Sequence, residues 1–400
     1  MESNVFKIIE KEKLRQDTTI ELIASENFVS ENVMKAVGSC LTNKYTEGYP
    51  NNRYYGGCKY YDELEDYCKK KWQEVFHTNY HVNVQPHSGS QANMAVYMAL
   101  LNPGDTVLAL KLENGGHLSH GSPVNFSGKI YNFVFYGLNN KGYIDYYDLI
   151  EKIYTHRPKI ILVGASAYSR RIDFKKIYQI ITQYSTPDYK PYFMVDMAHI
   201  AGLIAAGQHP SPFGYAHIIT TTTHKTLRGT RGGLIFCRPS LANKIDSAVF
   251  PGIQGGSLMH VIAGKAVTAE EACSEEFRKY IIQVIRNTKV MCDEFKKLGY
   301  EIVSDGTDNH LFMIDFSNTH SNITGNEIQE VLDNYGITVN KNCVPNEKRS
   351  PKETSGIRIG CAAMTTKGLK ESDFREIAKN IDVIINDYSY TKERNENNDK

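Results

Sequence analysis

The chain has 400 residues, 46 Lys and Arg against 45 Asp and Glu, and a formal net charge of +1. That length allows two domains with sizeable cores, and the even charge balance offers no basic excess for a nucleic acid and no acidic solvating block. The apolar run MAVYMALL (94–101) is far too short to cross a bilayer.

The first residues, MESNVFKIIEKEKLRQD, lack the apolar core of a signal peptide and carry too many acids for a transit peptide. They read as a short surface helix of a cytoplasmic protein. Residues 39–62 follow neither a strand nor a helix pattern and are crowded with Tyr, Gly, Asn and Pro. A long irregular stretch of this kind is usually functional or interfacial. Within it Glu47, in KYTEGYP, reads as a surface residue by pattern, or as a proton-transfer group if partly buried.

HSGSQANMAVYMALL (87–101) puts Ser88, Gly89, Ser90 and Gln91 just before an amphipathic helix. These residues serve either as an ordinary serine N-cap or as an anion cradle built from backbone amides and hydroxyls. From about 80 to 240, short apolar runs alternate with helical patterns: TVLAL (106–110), IYNFVFYG (130–137), KIILVGAS (159–166), YFMVDMAH (192–199), HIITTTTHK (217–225) and GLIFCR (233–238). Near-continuous apolar strands predict a mainly parallel sheet covered by helices. Ligands of such sheets sit beyond the strand ends, which points to Ser166, Asp196, His199 and Lys225.

An isolated Asp at a strand end caps the next turn. Asp196 followed 29 residues later by a strand-end Lys225 also fits an enzyme of pyridoxal phosphate, whose ring nitrogen needs an anionic partner. His117, after two glycines in ENGGHLSHG, is either a satisfied structural histidine or a flat ring that stacks on the cofactor. A helical pattern from Ala266 to Leu298 ends at Gly299 and leads to a smaller α+β region. That region holds a strand at 310–316, a helix at 325–336, a strand at 356–360 and a last helix from Glu371. Arg358, in SGIRIG, either forms a salt bridge or binds a substrate carboxylate with two parallel hydrogen bonds. The eight cysteines show no metal-ligand spacing, so no metal site is expected, and in a cytoplasmic chain they stay reduced. The sequons NFS (125–127) and NIT (322–324) carry no meaning without a secretion signal.

Taken together, ELIASEN (21–27), LTNKYTEGYPNNRYYGG (41–57), NVQPHSGSQAN (83–93), GGHLSHGSPVNFSGK (115–129), VDMAHIAGL (195–203), TTTTHKTLRGTRGG (220–233), VFPGIQGG (249–256), MHVIAGKA (259–266), TDNHLF (307–312), TVNKN (338–342) and TSGIRIG (354–360) closely resemble serine hydroxymethyltransferase over almost the whole chain. The resemblance implies an α/β, aminotransferase-like fold of pyridoxal-phosphate-dependent transferases. Such a fold has a mostly parallel seven-stranded sheet with helices on both faces and a smaller C-terminal α+β domain. The expected layout is an N-terminal arm (1–38), a large cofactor-binding domain (39–275), a small domain (276–390) and a polar tail (391–400).

The implied activity interconverts serine plus tetrahydrofolate with glycine plus 5,10-methylenetetrahydrofolate. The alternatives are a folate-independent aldolase of threonine-type substrates and, from another class, a non-catalytic binding protein of the same fold. The resemblance implies that Lys225 is the aldimine lysine, Asp196 the partner of the ring nitrogen, and His117 the stacking ring. Ser166 and His199 fall on the ring-hydroxyl side, and His224 and Arg231 flank the cofactor. Ser88, Gly89 and Ser90 hold the phosphate, joined by Tyr55 and Gly256 of a second copy in a homodimer. Arg358 and Ser25 hold the substrate carboxylate, with Tyr55 also assigned to substrate. Glu47 and Tyr45, again from the second copy, manage protons, and Leu112, Leu118, Asn342 and Glu47 lie near the folate. No nucleic acid or membrane partner is implied. Two features depart from the family pattern: Ser257 stands where a proline is common, predicting a looser loop, and the pair Arg170–Arg171 has no assigned role.

Overall fold

A computed structural model describes residues 3–398. Asn27–Ile282 form one compact unit, and Met1–Glu26 with Gln283–Lys400 form another. The first unit is built on seven strands: β1 (His81–Asn83), β2 (Thr106–Leu110), β3 (Asn132–Tyr136), β4 (Ile160–Val163), β5 (Tyr192–Asp196), β6 (Ile218–Thr222) and β7 (Gly233–Cys237). Their order across the sheet is β1-β7-β6-β5-β4-β2-β3. β7 runs antiparallel to both its neighbours, and every other pair is parallel. This is the α/β architecture expected from the continuous apolar runs: β4, β6 and β7 are buried at every position, as strands covered on both faces must be. The helix Gly89–Leu100 packs Ala92, Ala95, Val96 and Tyr97 into one core with Val107, Ile160, Met194, Ile218 and Ile235.

β1 was not foreseen from the pattern. It has three residues, two of them polar, and its pairing is fixed by side chains: His81 Nε2 and Asn83 Nδ2 each lie 2.8 Å from Asp246 Oδ1. The helical pattern at 266–298 is two helices rather than one, Met259–Ala272 and Glu275–Lys297. Ser274 makes the break, because its Oγ accepts from Phe277 N (3.1 Å) and donates to Glu271 O (2.7 Å), capping a new helix start. Gly299 follows the second helix with φ +93°, the left-handed conformation a glycine cap supplies.

The second unit carries a four-stranded antiparallel sheet ordered Glu301–Ile302, Leu311–Asp315, Gly356–Gly360, Asn340–Asn342. Its core gathers Leu22, Phe295, Phe312, Phe316, Ile328, Phe374 and Ile381. The helix Gly325–Asn334 opens with a capping box from Thr324 and Glu327. Residues 391–398, expected as a polar tail, continue the final helix Glu371–Asn398. The N-terminal helix Asn4–Thr18 forms as expected but buries nothing: Val5, Phe6, Ile8, Ile9 and Leu14 are each at least 50% exposed. Among the described residues no helix is long and apolar enough to cross a membrane, and no acid, cysteine and histidine group could hold a metal ion.

Candidate active site

The parallel strands β5 and β6 end side by side, with Asp196 in register with Thr220. Lys225 follows three residues after the end of β6, and its carbonyl accepts from Asn27 Nδ2 at 3.0 Å. The Asp196 side chain is 11% exposed. Its Oδ2 accepts from Asn93 Nδ2 (2.9 Å) and lies 3.0 Å from His120 Nε2, while its Oδ1 accepts from Ala198 N (3.1 Å). Burial alone would raise this carboxyl's pKa. The His120 hydrogen bond and charge, with His117 and Asn93, overcome that and hold it well below the usual carboxylate range.

The supports continue outward. His120 Nδ1 lies 3.4 Å from His117 N, which orients the ring so that its Nε2 faces Asp196. Ser119 Oγ lies 2.7 Å from His117 Nδ1 and accepts from Asn93 Nδ2 at 2.9 Å. Thr220 Oγ1 donates to Asn93 Oδ1 at 2.6 Å, which fixes the amide orientation. Thus one network sets both the strand-end carboxylate and the His117 ring. Glycines allow the approach: a Cβ on Gly164 (φ +149°) would lie 2.1 Å from Asp196 O, and one on Gly115 (φ +101°) 2.4 Å from Ala167 O. Ser166 N donates to Gly115 O at 2.7 Å, so the loops carrying Ser166 and His117 dock on each other.

The opposite electrostatic pole lies at the start of the helix Gly89–Leu100. Ser88 is an ordinary N-cap, its Oγ accepting from Gln91 N at 3.2 Å. Gly89 and Ser90 therefore supply the first helical N–H groups, which have no intrahelical partner. A Cβ on Gly89 would reach Thr222 Cγ2 at 2.7 Å, and Thr222 Oγ1 is buried without a hydrogen-bond partner. Burial first, then the charges of Lys225, Arg231 and Lys265, push the His224 pKa down to about 3. The field is cationic where a phosphate would be held and anionic where a ring nitrogen would be. The residues present fit pyridoxal phosphate.

The family model of serine hydroxymethyltransferase matches residues 1–381 of the 400. The chain belongs to the serine hydroxymethyltransferase family. It is accordingly a pyridoxal-phosphate-dependent transferase with glycine hydroxymethyltransferase activity, interconverting serine plus tetrahydrofolate with glycine plus 5,10-methylenetetrahydrofolate, and the aminotransferase-like fold is the family's fold.

The other expected site residues fall into groups. Tyr45, Glu47, Tyr55 and Gly256 cluster together: the two tyrosine rings are 5.3 Å apart, and Cβ atoms on Gly256 and Gly255 would lie 3.0 Å from Tyr45 and 3.5 Å from Glu47 Oε1. Arg53, its side chain 3% exposed, braces this segment with bonds to Thr46 O and Gly48 O and ion pairs to Asp62 and Glu65. Ser257, expected to loosen its loop, is buried, and its Oγ lies 2.7 Å from the Thr46 hydroxyl. His199 is buried, and its carbonyl accepts from Thr226 Oγ1 at 3.0 Å. Arg231 is exposed, and Leu112 and Leu118 present 43% and 50% of their surface.

In the second unit, Arg358 sits mid-strand with Nε donating to Asn340 Oδ1 at 3.0 Å, and burial holds its pKa below the ordinary value. Asn342 Nδ2 donates to Cys343 O at 2.6 Å. Ser25 follows Ala24, whose Cα lies 2.4 Å from where a Gly360 Cβ would be. Arg170 lies 5.4 Å from the Tyr143 ring centroid, a surface cation–π contact. His120, Asn93 and Ser119 escaped the sequence reading. The one available signal was a second histidine three residues after His117.

Proposed function

We propose that the paired ends of β5 and β6 form the reaction centre and that the chain works as a cytoplasmic homodimer with each active site shared between copies. The observation that carries the first point is Asp196, a buried carboxylate kept ionised by His120 and Asn93 beside the strand that leads to Lys225. Pyridoxal phosphate, when bound, supplies an electron-accepting ring for bond cleavage at the amino-acid α-carbon.

Asp196 would keep the proton on the ring nitrogen, His117 would stack on the ring, and Ser166 and His199 would hold the ring-hydroxyl side. Lys225 would hold the cofactor covalently through its amino group. His224 and Arg231 line the flank, and Gly89 and Ser90, with the Ser88 cap behind them, bind the phosphate through the helix start. Arg358, assisted by Ser25, grips the substrate carboxylate with its fixed fork of donors. Glu47 moves the proton at the serine hydroxyl oxygen, with Tyr45 beside it, and Leu112, Leu118 and Asn342 line the folate.

Two observations support the dimer. The helix Asn4–Thr18 leaves five large apolar side chains uncovered on its own chain. Tyr45 and Tyr55, at 59% and 46% exposed, cluster with Glu47 and Gly256 as a patch ready to complete a neighbour's site. The near-zero net charge fits small-molecule substrates rather than a nucleic acid. Glycine formation from serine, measured with and without tetrahydrofolate, tests the reading. Strong folate dependence is expected; equal rates in both would sink it in favour of a folate-independent aldolase.

A further inference from the structure

Lys265 lies in the helix Met259–Ala272 among Ala263, Ala266 and Ala269, and is 1% exposed. A lysine in such a place must satisfy three N–H donors or stay uncharged. Its Nζ does so with three backbone carbonyls: Val84 (2.6 Å), Gly233 (2.9 Å) and Pro86 (3.0 Å). Val84 and Pro86 belong to the chain that runs into Ser88, and Gly233 opens β7 just after the loop that follows Lys225. Those two segments meet directly, with Gly233 N donating to Pro86 O at 3.0 Å and a Gly233 Cβ only 2.4 Å from Ser88 O.

The other edge of the same segment is held by Gln254, whose Nε2 donates to Gln85 O (2.9 Å) and whose Oε1 accepts from His87 N (3.1 Å). The carbonyls of Val84, Gln85 and Pro86 and the N–H of His87 are thus held by two side chains, while Gln85 N donates to Asn83 Oδ1. Two residues on, past the Ser88 cap, the N–H groups of Gly89 and Ser90 begin the helix. The ammonium is also felt electrostatically, since its charge contributes to depressing both His87 and His224. Burial lowers the Lys265 pKa to about 8, so this charge is kept against a desolvation cost.

We propose that Lys265 is a positioning residue for the cofactor phosphate: its ammonium fixes the carbonyls of Val84, Pro86 and Gly233 and adds positive charge behind the pocket at the start of the helix Gly89–Leu100. The inference rests on the assignment of that helix start to the phosphate. Two probes separate a phosphate effect from general structural support, namely pyridoxal phosphate and pyridoxal, which lacks the phosphate. Apoprotein is titrated with each and followed by absorbance, and thermal unfolding of the apoprotein is recorded alongside.

Lys265→Met is expected to weaken pyridoxal phosphate about tenfold or more, the scale of a lost charge-assisted contact, while pyridoxal changes by no more than about twofold. Equal losses for both, or none for either, overturn the proposal. Gly232→Ala carries the same test if the methionine variant does not fold. Its Cβ would lie 2.4 Å from Lys265 Cε and 3.0 Å from Nζ, displacing the ammonium with its charge intact. Ser90→Asp, run in parallel, tests the pocket separately by placing a carboxylate at the helix start: a loss confined to pyridoxal phosphate keeps the phosphate assignment whatever Lys265 does, and no change for either probe overturns that assignment and the inference with it.

Discussion

Asp196 is costly to hold as an anion at the end of a buried strand, and the molecule meets that cost with a neighbour rather than with solvent. His120 Nε2 lies 3.0 Å from Asp196 Oδ2, the same oxygen that accepts from Asn93, and it contributes most to keeping the carboxylate ionised. Replacing it by leucine leaves Asn93 and Ala198 N as donors but removes the histidine's hydrogen bond and charge. The folded pKa of Asp196 then rises toward the ordinary carboxylate value. In His120→Leu the acid limb of the kcat profile is expected to move up by about one pH unit or more. A pH profile that superimposes on that of the parent protein would show that Asn93 and the backbone suffice.

Among the elements, the parallel strands β4, β5 and β6 all end at the same edge of the sheet, and a tight backbone crossing there leaves no room for a side chain. Gly164 shows this best, being at φ +149° with a prospective Cβ 2.1 Å from Asp196 O. Gly164→Ala is expected to cost about 1–3 kcal/mol, as overpacking does in tight cores, read as a lower denaturant midpoint with unchanged slope. An unchanged midpoint would mean that the two loops separate freely.

The same elements show what the sequence made legible. TVLAL, IILV and IITTT announced themselves as buried parallel strands because their apolar runs reflect burial on both faces. His81–Asn83 did not, since its pairing depends on Asp246, 163 residues beyond Asn83. The break at Ser274 was hidden for a similar reason: one capping serine outweighed a continuous helical pattern. In the site, Lys225 and Asp196 stood out by strand-end position, whereas Asn93, Ser119 and Lys265 matter through hydrogen bonds that no local pattern encodes.

At the scale of the whole molecule, buried neutral histidines govern behaviour in acid. Burial is the largest cause at both His217 and His224, whose pKa values fall from 6.5 to about 4 and about 3. Between those values and 6.5 the unfolded chain binds more protons than the folded one. Stability is therefore complete above pH 6.5 and is lost as the pH falls, by about 1.4 kcal/mol per pH unit for each histidine. Glu21, raised by burial from 4.5 to about 6, works the other way below pH 6 and offsets about one histidine there. Denaturant midpoints at pH 7.5, 6 and 5 should decline, and His224→Asn should flatten the decline; a flat profile in the parent protein would contradict the burial of these rings.

The shared site proposed above has its own whole-molecule test. Lys225→Ala and Glu47→Gln place their lesions on different copies of a twofold dimer, so a re-equilibrated mixture of the two inactive proteins should regain about a quarter of the parent activity. No recovery would place both residues in a single chain's site.

The Thr46–Ser257 hydroxyl pair puts a reversible restraint where a proline would put a covalent one. A proline ring would restrain the loop after Gly255 and Gly256 by covalent geometry, equally in cold and heat. Here the restraint is a 2.7 Å hydrogen bond between two side chains, backed by a Ser257 Oγ contact to Met259 sulfur at 3.4 Å. Such a bond contributes about 1 kcal/mol, and it can break without any change in covalent geometry. The segment after Gly256 is thus held by a contact that can open and re-form, where a proline would hold it permanently.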